Sequence, residues 1–429
     1  MKTKPAIHPE RIRSDLVKFA RIGATPDGGV QRLSFSQQEI AARQLALHLM
    51  QTAGLAVRMD GIGNLFGRVE GSDPGLPPIW VGSHIDTVPS GGKFDGSVGV
   101  VAALEVVRAI RENPEPLVHP VEAVVFVSEE SSRFGLATIG SGVVAGVFRP
   151  EEFLELRDAE GYRLGELLAC QGFDAETIAS ARRSPGDVRA FLEVHIEQGR
   201  VLETEGLSIG VATAIANATR LRARFIGRAD HSGATPMHLR RDALAGAAQL
   251  ITFVESLCRG TDPPVVGTVG VLRVHPCAMN VIPGWVEIGI DIRSTSGPAK
   301  EAVAEQVERR AREIADERGL QAEIELVGRG VPVELGREMV RLLEEVCRSE
   351  GYSFRRMPCG AGHDAMQIAR IAETGLVLIP CREGISHNPA EWSDPEDIVR
   401  GAQVVLEAAR RLGRPPTASF GGRRGGAEE

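Results

Sequence analysis

The sequence has little of what nucleic-acid-binding proteins require. Aromatic residues make up only 4% of its 429 residues, and the formal net charge is -8. Proteins that bind nucleic acid use an excess of positive charge, and those that bind single strands add aromatic stacking platforms. The composition therefore argues against a nucleic-acid partner and favours a small molecule.

Long apolar runs and clustered cysteines are also missing. Runs such as residues 121–127 are far shorter than the roughly 20 residues that a membrane-spanning helix needs. The first residues, MKTKPAIHPERIRSD, lack the apolar core of a signal peptide. The six cysteines are scattered, with no CxxC pair and no disulfide-scaffold density. We therefore expect a cytoplasmic protein with reduced thiols and no membrane partner.

What is present is the composition of a globular protein, with 43% hydrophobic and 25% charged residues. A chain of 429 residues is too long for one ordinary core. Helix-like and strand-like segments alternate over residues 36–127 and again over 336–411, which predicts an α/β domain with a largely parallel mixed sheet flanked by helices.

The middle of the chain has a different pattern. Residues 214–328 follow the order β-α-β-β-α-β, which is typical of a ferredoxin-like α+β unit. We therefore predict one domain made of residues 1–213 and 329–413 and a second, inserted domain made of 214–328. The tail, 414–429, is rich in Pro and Gly and is predicted to be disordered.

Histidine and acidic side chains follow or end four of the strand-like runs. These candidates are His84, the pair Glu129 and Glu130, His195 and His387. In open α/β sheets, sites form at the carboxyl edge of the strands. Each residue alone also has an ordinary explanation, such as a hydrogen-bonded core histidine, so the inference rests on their combination.

The combination suits a pair of divalent ions. Such a pair needs a carboxylate that bridges the ions and further imidazole or carboxylate ligands on either side. Asp95 could be the bridge, although its glycine-rich surroundings are also typical of a turn. His84 and His195 could complete one ion. Glu130 and His387 could complete the other and leave an open edge for water.

The adjacent glutamates can face the same site only if the backbone turns out of the strand at that point. In a continuing strand Glu129 and Glu130 would point to opposite faces, so both reach one site only where the chain leaves the sheet. Ser128 marks that exit. One glutamate could then bind metal while its unligated neighbour acts as a general base. The alternative is a solvated acidic pair at the end of a strand.

These residues lie in motifs whose order and spacing match one family. The motifs are HIDTVP (84–89), GKFDG (92–96), SEE (128–130) with RF (133–134), HIEQG (195–199), HSG (231–233) with TPM (235–237), NVIPG (280–284), DIR (291–293), GHD (362–364) and GISH (384–387). Over residues 10–412 the chain resembles the M20-type amidohydrolases that cleave N-carbamoyl-L-amino acids, allantoate or β-ureidopropionate.

The resemblance implies the ligand set above with Glu129 as the base. It implies two divalent ions per subunit, Zn²⁺ first among them, although Mn²⁺, Co²⁺ or Ni²⁺ also suit such ligands. It also implies a split catalytic domain and an inserted lid and dimerisation domain. The protein would then be a homodimer in which one lid reaches the partner subunit's site.

Further roles come from the same resemblance. It implies the substrate-binding residues Gln198, His231, Asn280, Arg293, Gly362 and His363. Arg293 could bind a substrate carboxylate through two parallel hydrogen bonds from its guanidinium. His231 and Asn280 could donate hydrogen bonds to the oxyanion or the carboxylate, and Gln198 to the ureido end. The carboxylate of Asp86 is predicted to orient the imidazole of His84.

The predicted activity is hydrolysis of the carbamoyl C–N bond of small N-carbamoyl-L-amino acids. Allantoate and β-ureidopropionate are alternative substrates, because they also present a ureido group and a carboxylate. Ser131 and Ser232 stand where the family usually has Gly and Ala, which bears on substrate preference.

Two other functional classes compete with this prediction. Ser208 lies in a G-x-S-x-G pattern, the signature of a serine hydrolase, but it does not follow a buried strand or open a helix. A non-catalytic binding protein is the third class. Glu129 argues against it, because a binder has no need of an unligated base.

Overall fold

The structure, a computed structural model, describes residues 6–113 and 117–414. The tail that is predicted to be disordered lies outside the described residues from 415 onward. The strands are β1 (Ala56–Met59), β2 (Leu65–Val69), β3 (Ile79–His84), β4 (Val121–Phe126), β5 (Ala190–Ile196), β6 (Ile209–Ile215), β7 (Asn217–Ile226), β8 (Asp230–His231), β9 (Val266–His275), β10 (Val281–Ile282), β11 (Trp285–Ser294), β12 (Gln321–Arg329), β13 (Val333–Glu334), β14 (Phe354–Cys359) and β15 (Glu373–Ile379).

Helices surround these strands. They are α1 (Pro9–Arg21), α2 (Gln37–Thr52), α3 (Ser97–Glu112), α4 (Ile139–Val144), α5 (Pro150–Phe153), α6 (Leu164–Ala169), α7 (Ala175–Ser180), α8 (Val201–Glu205), α9 (Ala243–Arg259), α10 (Gly297–Arg318), α11 (Arg337–Glu350), α12 (Ala365–Ile368) and α13 (Pro395–Leu412), with 3₁₀ turns at Met237–Leu239 and Arg382–Gly384. Within the described ranges, none of these helices is long and apolar enough to cross a membrane.

The described chain divides into two compact units. The first contains the described residues up to Thr213, Leu335–Met357 and those from His363 onward, and the second contains Ala214–Glu334 and Pro358–Gly362. In the first unit the strand order is β1-β2-β4-β3-β5-β15-β6. The four central strands β4, β3, β5 and β15 are parallel, whereas β1, β2 and β6 pair antiparallel. The predicted α/β fold with a largely parallel mixed sheet is confirmed.

Helices cover the central strands of this sheet. Every residue of β3, β4 and β5 is buried, as expected for parallel strands that helices cover on both faces. Helix α3 packs against β3 and β4, and α13 packs against α3 and β15. Because the central strands are parallel, their carboxyl ends meet at one edge. His84 pairs in register with Phe126, and His195 with Leu378.

The second unit is an antiparallel sheet with the order β12-β7-β11-β9, and helices α9 and α10 pack against it. Together with the chain order β7-α9-β9-β11-α10-β12, this confirms the predicted ferredoxin-like unit. Apolar and other residues alternate along β11, which predicts one buried face, and the four apolar residues are buried: Val286, Ile288, Ile290 and Ile292. On the opposite face Glu287 is also buried, because Arg224 and Arg273 pair with its carboxylate.

One helix boundary differs from the sequence pattern. Apolar spacing predicts a helix from residue 237, but Met237–Leu239 form only a 3₁₀ turn and α9 begins at Ala243. The reason is the side chain of Asp242, which accepts the backbone N–H groups of Leu244 and Ala245 and so caps the helix there.

Candidate metal centre

The carboxylate of Asp95 lies between three of the predicted histidines. Its Oδ1 is 3.3 Å from Nε2 of His195 and 3.5 Å from Nε2 of His84. Its Oδ2 is 3.3 Å from Nε2 of His387. The two oxygens thus face different histidines, which is the arrangement that a bridging carboxylate requires.

The potential ligand atoms form two groups that share Asp95. One contains His84, Asp95 and His195, the other Asp95, Glu130 and His387, and the atoms of each group lie within 4.8 Å of one another. Imidazole nitrogens and carboxylate oxygens are donors that Zn²⁺ and similar ions accept. The residues therefore fit two divalent ions. The first group is buried, whereas the side chain of His387 is 49% exposed, so the second group borders solvent.

The carboxylates and histidines of this site shift one another's pKa toward the charged forms. Burial alone would raise the pKa of Asp95, but hydrogen bonds from His195, His387 and His84 hold it well below its usual range. Hydrogen bonds to Asp95 and Glu130 raise the pKa of His387 to about 10. Protonated histidines partly neutralise the negative charge of the carboxylates. A divalent cation would neutralise the same charge.

Glu129 lies beside these groups but belongs to neither of them. Its Oε2 is 3.9 Å from Nε2 of His84. Burial raises the pKa of Glu129 well above its usual range, with the nearby charge of His84 opposing the effect and that of Glu130 adding to it. Glu129 is thus a buried carboxyl group next to both ligand groups, which is the position that a general base for a metal-bound reaction requires.

The backbone leaves the sheet where the sequence predicts. Strand β4 ends at Phe126, and Ser128 adopts a left-handed conformation with φ 55°. The turn brings the backbone N–H groups of Glu129 and Glu130 onto the carboxylate of Asp86, at 3.1 and 3.0 Å. The two glutamates are thereby presented to one site.

Asp86 contacts His84 through its backbone as well as through the carboxylate that the sequence predicts. Nδ1 of His84 is 3.0 Å from the backbone carbonyl oxygen of Asp86 and 3.6 Å from its carboxylate Oδ1. The backbone carbonyl makes the shorter contact, and against the lowering effect of burial the nearby carboxylate helps to raise the pKa of His84. The carboxylate also accepts the N–H groups of the glutamate pair and the hydroxyl of Ser34. Its part in orienting the imidazole stays a prediction.

Gly96 gives His84 its space. A Cβ atom on Gly96 would lie 2.5 Å from Cε1 of the His84 ring, and the residue has φ +61°. The turn at Asp95 thus serves the site directly, because only glycine allows the imidazole to approach the backbone so closely.

Two of the predicted substrate-binding residues lie at the centre. Nε2 of Gln198 donates to Oδ2 of Asp95 at 2.6 Å, and its buried Oε1 has no hydrogen-bond partner among the described residues. The ring of His363 lies 4.4 Å from that of His195, centroid to centroid. Burial lowers the pKa of His363 well below its usual range, which keeps the ring neutral.

The other four predicted substrate-binding residues, His231, Asn280, Arg293 and Gly362, belong to the second unit. His231 is exposed and lies beside Asn280, whose carbonyl oxygen accepts the N–H of Ser232. Nε of Arg293 donates to Oδ1 of Asp291 at 2.7 Å, and the arginine side chain is 34% exposed. Their part in substrate binding stays a prediction.

Ser208 does not have the surroundings of a nucleophile. It immediately precedes strand β6, and its hydroxyl lies 3.2 Å from the hydroxyl of Ser353. A nucleophile elbow would instead join a strand to a helix and face a histidine.

Sequence reasoning missed a buried carboxylate at this centre, that of Glu391. It contacts the backbone at Asp95 and the hydroxyl of Ser386. Its only signal in the sequence is an acidic residue four positions after His387.

Comparison with known proteins shows the family to which the chain belongs. The model of peptidase family M20/M25/M40 matches residues 80–411. An N-carbamoyl-L-amino acid amidohydrolase of Geobacillus stearothermophilus is 42% identical over 95% of this chain and 99% of that protein. An allantoate amidohydrolase of Escherichia coli is 34% identical over 92% of this chain and 96% of that protein.

A solved structure of an amidase has a similar fold. An amidase of the hydantoinase/carbamoylase family from Burkholderia multivorans superposes with a TM-score of 0.88 at 36% identity, covering 96% of this chain and 100% of that chain. The resemblance that the motifs indicate is thus confirmed, and the chain belongs to peptidase family M20/M25/M40.

Proposed function

We propose that this protein is a metal-dependent amidohydrolase that cleaves the carbamoyl C–N bond of N-carbamoyl-L-amino acids. The observation that carries the proposal is the carboxylate of Asp95 shared by two ligand groups, with Glu129 unligated beside them. The relative from Geobacillus stearothermophilus supports the substrate class, since it is an N-carbamoyl-L-amino acid amidohydrolase and aligns over 95% of this chain.

The ligands divide between two ions. His84 and His195 would hold one, Glu130 and His387 the other, and Asp95 both. We propose Zn²⁺ as the first candidate, with Mn²⁺, Co²⁺ or Ni²⁺ as substitutes that the same donors accept. Ions bound there would polarise the ureido carbonyl and lower the pKa of the attacking water.

Glu129 would carry the proton through the reaction. Its carboxylate takes a proton from the attacking water as the oxygen bonds to the ureido carbon. The bond from that carbon to the α-nitrogen then breaks, and Glu129 returns the proton to the leaving nitrogen. The products are the free amino acid and carbamate. The position of Glu129 outside both ligand groups suits both transfers, because its carboxylate is not needed to hold an ion.

The proposed roles in substrate recognition follow the family resemblance, and the chemistry of each side chain permits them. The resemblance implies that Gln198 donates to the ureido end, but its NH₂ already donates to Asp95. We propose instead that its free Oε1 accepts a hydrogen bond from the terminal NH₂ of the ureido group. We propose that Arg293 binds the substrate carboxylate and that His231 and Asn280 stabilise the oxyanion. Gly362 and His363 would line the site, and His363 is neutral there.

A substrate panel tests the proposal. It contains N-carbamoyl-L-amino acids and their D-enantiomers, allantoate, β-ureidopropionate and a dipeptide, each assayed with Zn²⁺, Mn²⁺, Co²⁺ and Ni²⁺. We expect the highest kcat/KM for an N-carbamoyl-L-amino acid, with the free amino acid as product. Turnover of the dipeptide alone, or of none of these compounds, would contradict the proposal.

The panel also includes the variant Ser208→Ala. If metal chemistry breaks the bond, this variant should turn over the best substrate at the wild-type rate. Its inactivation would favour the serine hydrolase class instead.

Arg293→Ala should raise KM for carboxylate substrates by about 10- to 100-fold, because a charge-assisted hydrogen bond is lost on binding. The change in kcat should be smaller. Arg220→Ala is the matched control, since Arg220 pairs with the same carboxylate of Asp291, at 3.0 Å. Steady-state kinetics decide the point, and a wild-type KM in Arg293→Ala would remove this residue from recognition.

Allantoate is the second candidate substrate. The relative from Escherichia coli is an allantoate amidohydrolase and aligns over 92% of this chain. Allantoate presents the same ureido group and carboxylate, so the same residues could bind it. A higher kcat/KM for allantoate in the panel would select this alternative.

We also propose that the protein is a cytoplasmic homodimer formed through the inserted domain. All six cysteines are free, as in a reducing compartment. The outer strands β9 and β12 expose apolar side chains, among them Val271 and Val327, which a second copy could cover. Light scattering should give twice the chain mass of 46.0 kDa, and a single-chain mass would contradict the dimer.

A further inference from the structure

Glu391 is buried, at 3% exposure, between the loops of two proposed ligands. Its Oε1 accepts the backbone N–H groups of Phe94 at 2.9 Å and of Asp95 at 3.0 Å. Its Oε2 accepts the hydroxyl of Ser386, at 3.0 Å, which immediately precedes His387. A single carboxylate thus joins two loops that are nearly 300 residues apart in the chain.

Neighbouring residues fit closely around this carboxylate. A Cβ atom on Gly92 would lie 2.0 Å from Oε1 of Glu391, so only glycine leaves room for it there. Next to Glu391, the ring of Trp392 packs edge-on against that of Phe94 with centroids 5.3 Å apart. The Asp95 loop is therefore held both by hydrogen bonds and by an aromatic contact.

The contact extends to the carboxylate of Asp95 itself. The hydroxyl of Ser386 lies 3.0 Å from Oδ2 of Asp95 as well as 3.0 Å from Oε2 of Glu391. A hydroxyl has one proton and can donate it to one carboxylate at a time. Ser386 therefore links Glu391 to the oxygen of Asp95 that faces His387.

We propose that Glu391 is a positioning residue of the metal centre, which holds Asp95 and His387 at the separation at which they can share one ion. The inference rests on the metal centre of the proposed function and not on the substrate. Residues that hold metal ligands in place commonly change metal affinity by 10- to 100-fold when they are replaced.

The test is a Co²⁺ titration of the metal-free protein, followed by the visible absorption of the bound ion in competition with a chelator. Glu391→Ala should bind Co²⁺ about 10- to 100-fold more weakly. Glu391→Gln should lose less than about tenfold, because its amide oxygen can still accept both N–H groups and its NH₂ can donate to Ser386.

Asp60→Ala is the matched control for a general loss of stability. Asp60 is another buried carboxylate, and it accepts the N–H groups of Ile62, Gly63 and Asn64. Its loop carries none of the proposed ligands. We expect this variant to unfold at a lower temperature in the metal-free state and to bind Co²⁺ like the wild type.

Each outcome decides the inference. Wild-type Co²⁺ affinity in Glu391→Ala would overturn it, as would an equal loss of affinity in Asp60→Ala. If Glu391→Ala does not fold, Ser386→Ala replaces it, and unchanged Co²⁺ binding there would overturn the inference as well. A wild-type protein that binds no Co²⁺ would instead refute the proposed metal centre, so the two failures are distinguishable.

Discussion

Glu129→Gln should lower kcat by about 10²- to 10⁴-fold while metal affinity stays near the wild-type value. Glutamine has almost the same size, but its amide oxygen cannot take up and return a proton. Glu129 lies 3.9 Å from His84 and outside both ligand groups, so its replacement leaves the proposed ligands in place. The measurement is turnover at saturating substrate, with metal content determined on the same sample.

The neighbouring Glu130→Gln supplies the contrast. Glu130 lies 3.3 Å from His387 and belongs to the second ligand group, so this variant should lose metal affinity first and activity as a consequence. Excess metal should then restore part of the activity of Glu130→Gln and none in Glu129→Gln. Near-wild-type turnover in Glu129→Gln would refute its role as the base.

Much of the fold followed from the sequence because burial leaves a periodic pattern. The strand-like runs before His84 and Glu129 are buried strands of the parallel sheet, whose carboxyl ends meet at one edge. Residues that are far apart in the chain could therefore be predicted to lie close together in space, because each follows the end of such a run. The alternating residues of β11 likewise revealed its buried face.

Contacts between loops could not be predicted in the same way. The hydrogen bonds of Glu391 to Phe94 and Asp95 depend on two irregular segments meeting, and such segments have no period in the sequence. The carboxylate of Asp86 is a similar case. Its place two residues from His84 predicts the imidazole as a neighbour, but nothing in the sequence predicts that the left-handed turn at Ser128 also brings the N–H groups of the glutamates to it.

Removal of divalent metal should abolish turnover while the chain stays folded. Asp95 is the only residue among those described that belongs to both ligand groups. Without cations, hydrogen bonds with Asp95 and Glu130 raise the pKa of His387 to about 10. The imidazole of His387 is then protonated where it would otherwise bind metal. Because the parallel sheet has its own buried core, circular dichroism should show the same secondary structure before and after chelation.

The central claim is tested most directly by the turnover of an N-carbamoyl-L-amino acid in chelated protein that is then titrated with Zn²⁺ or Mn²⁺. The account predicts no activity in the chelated protein and a return of activity that is complete at two ions per chain. Full activity in protein shown to contain no metal would contradict it.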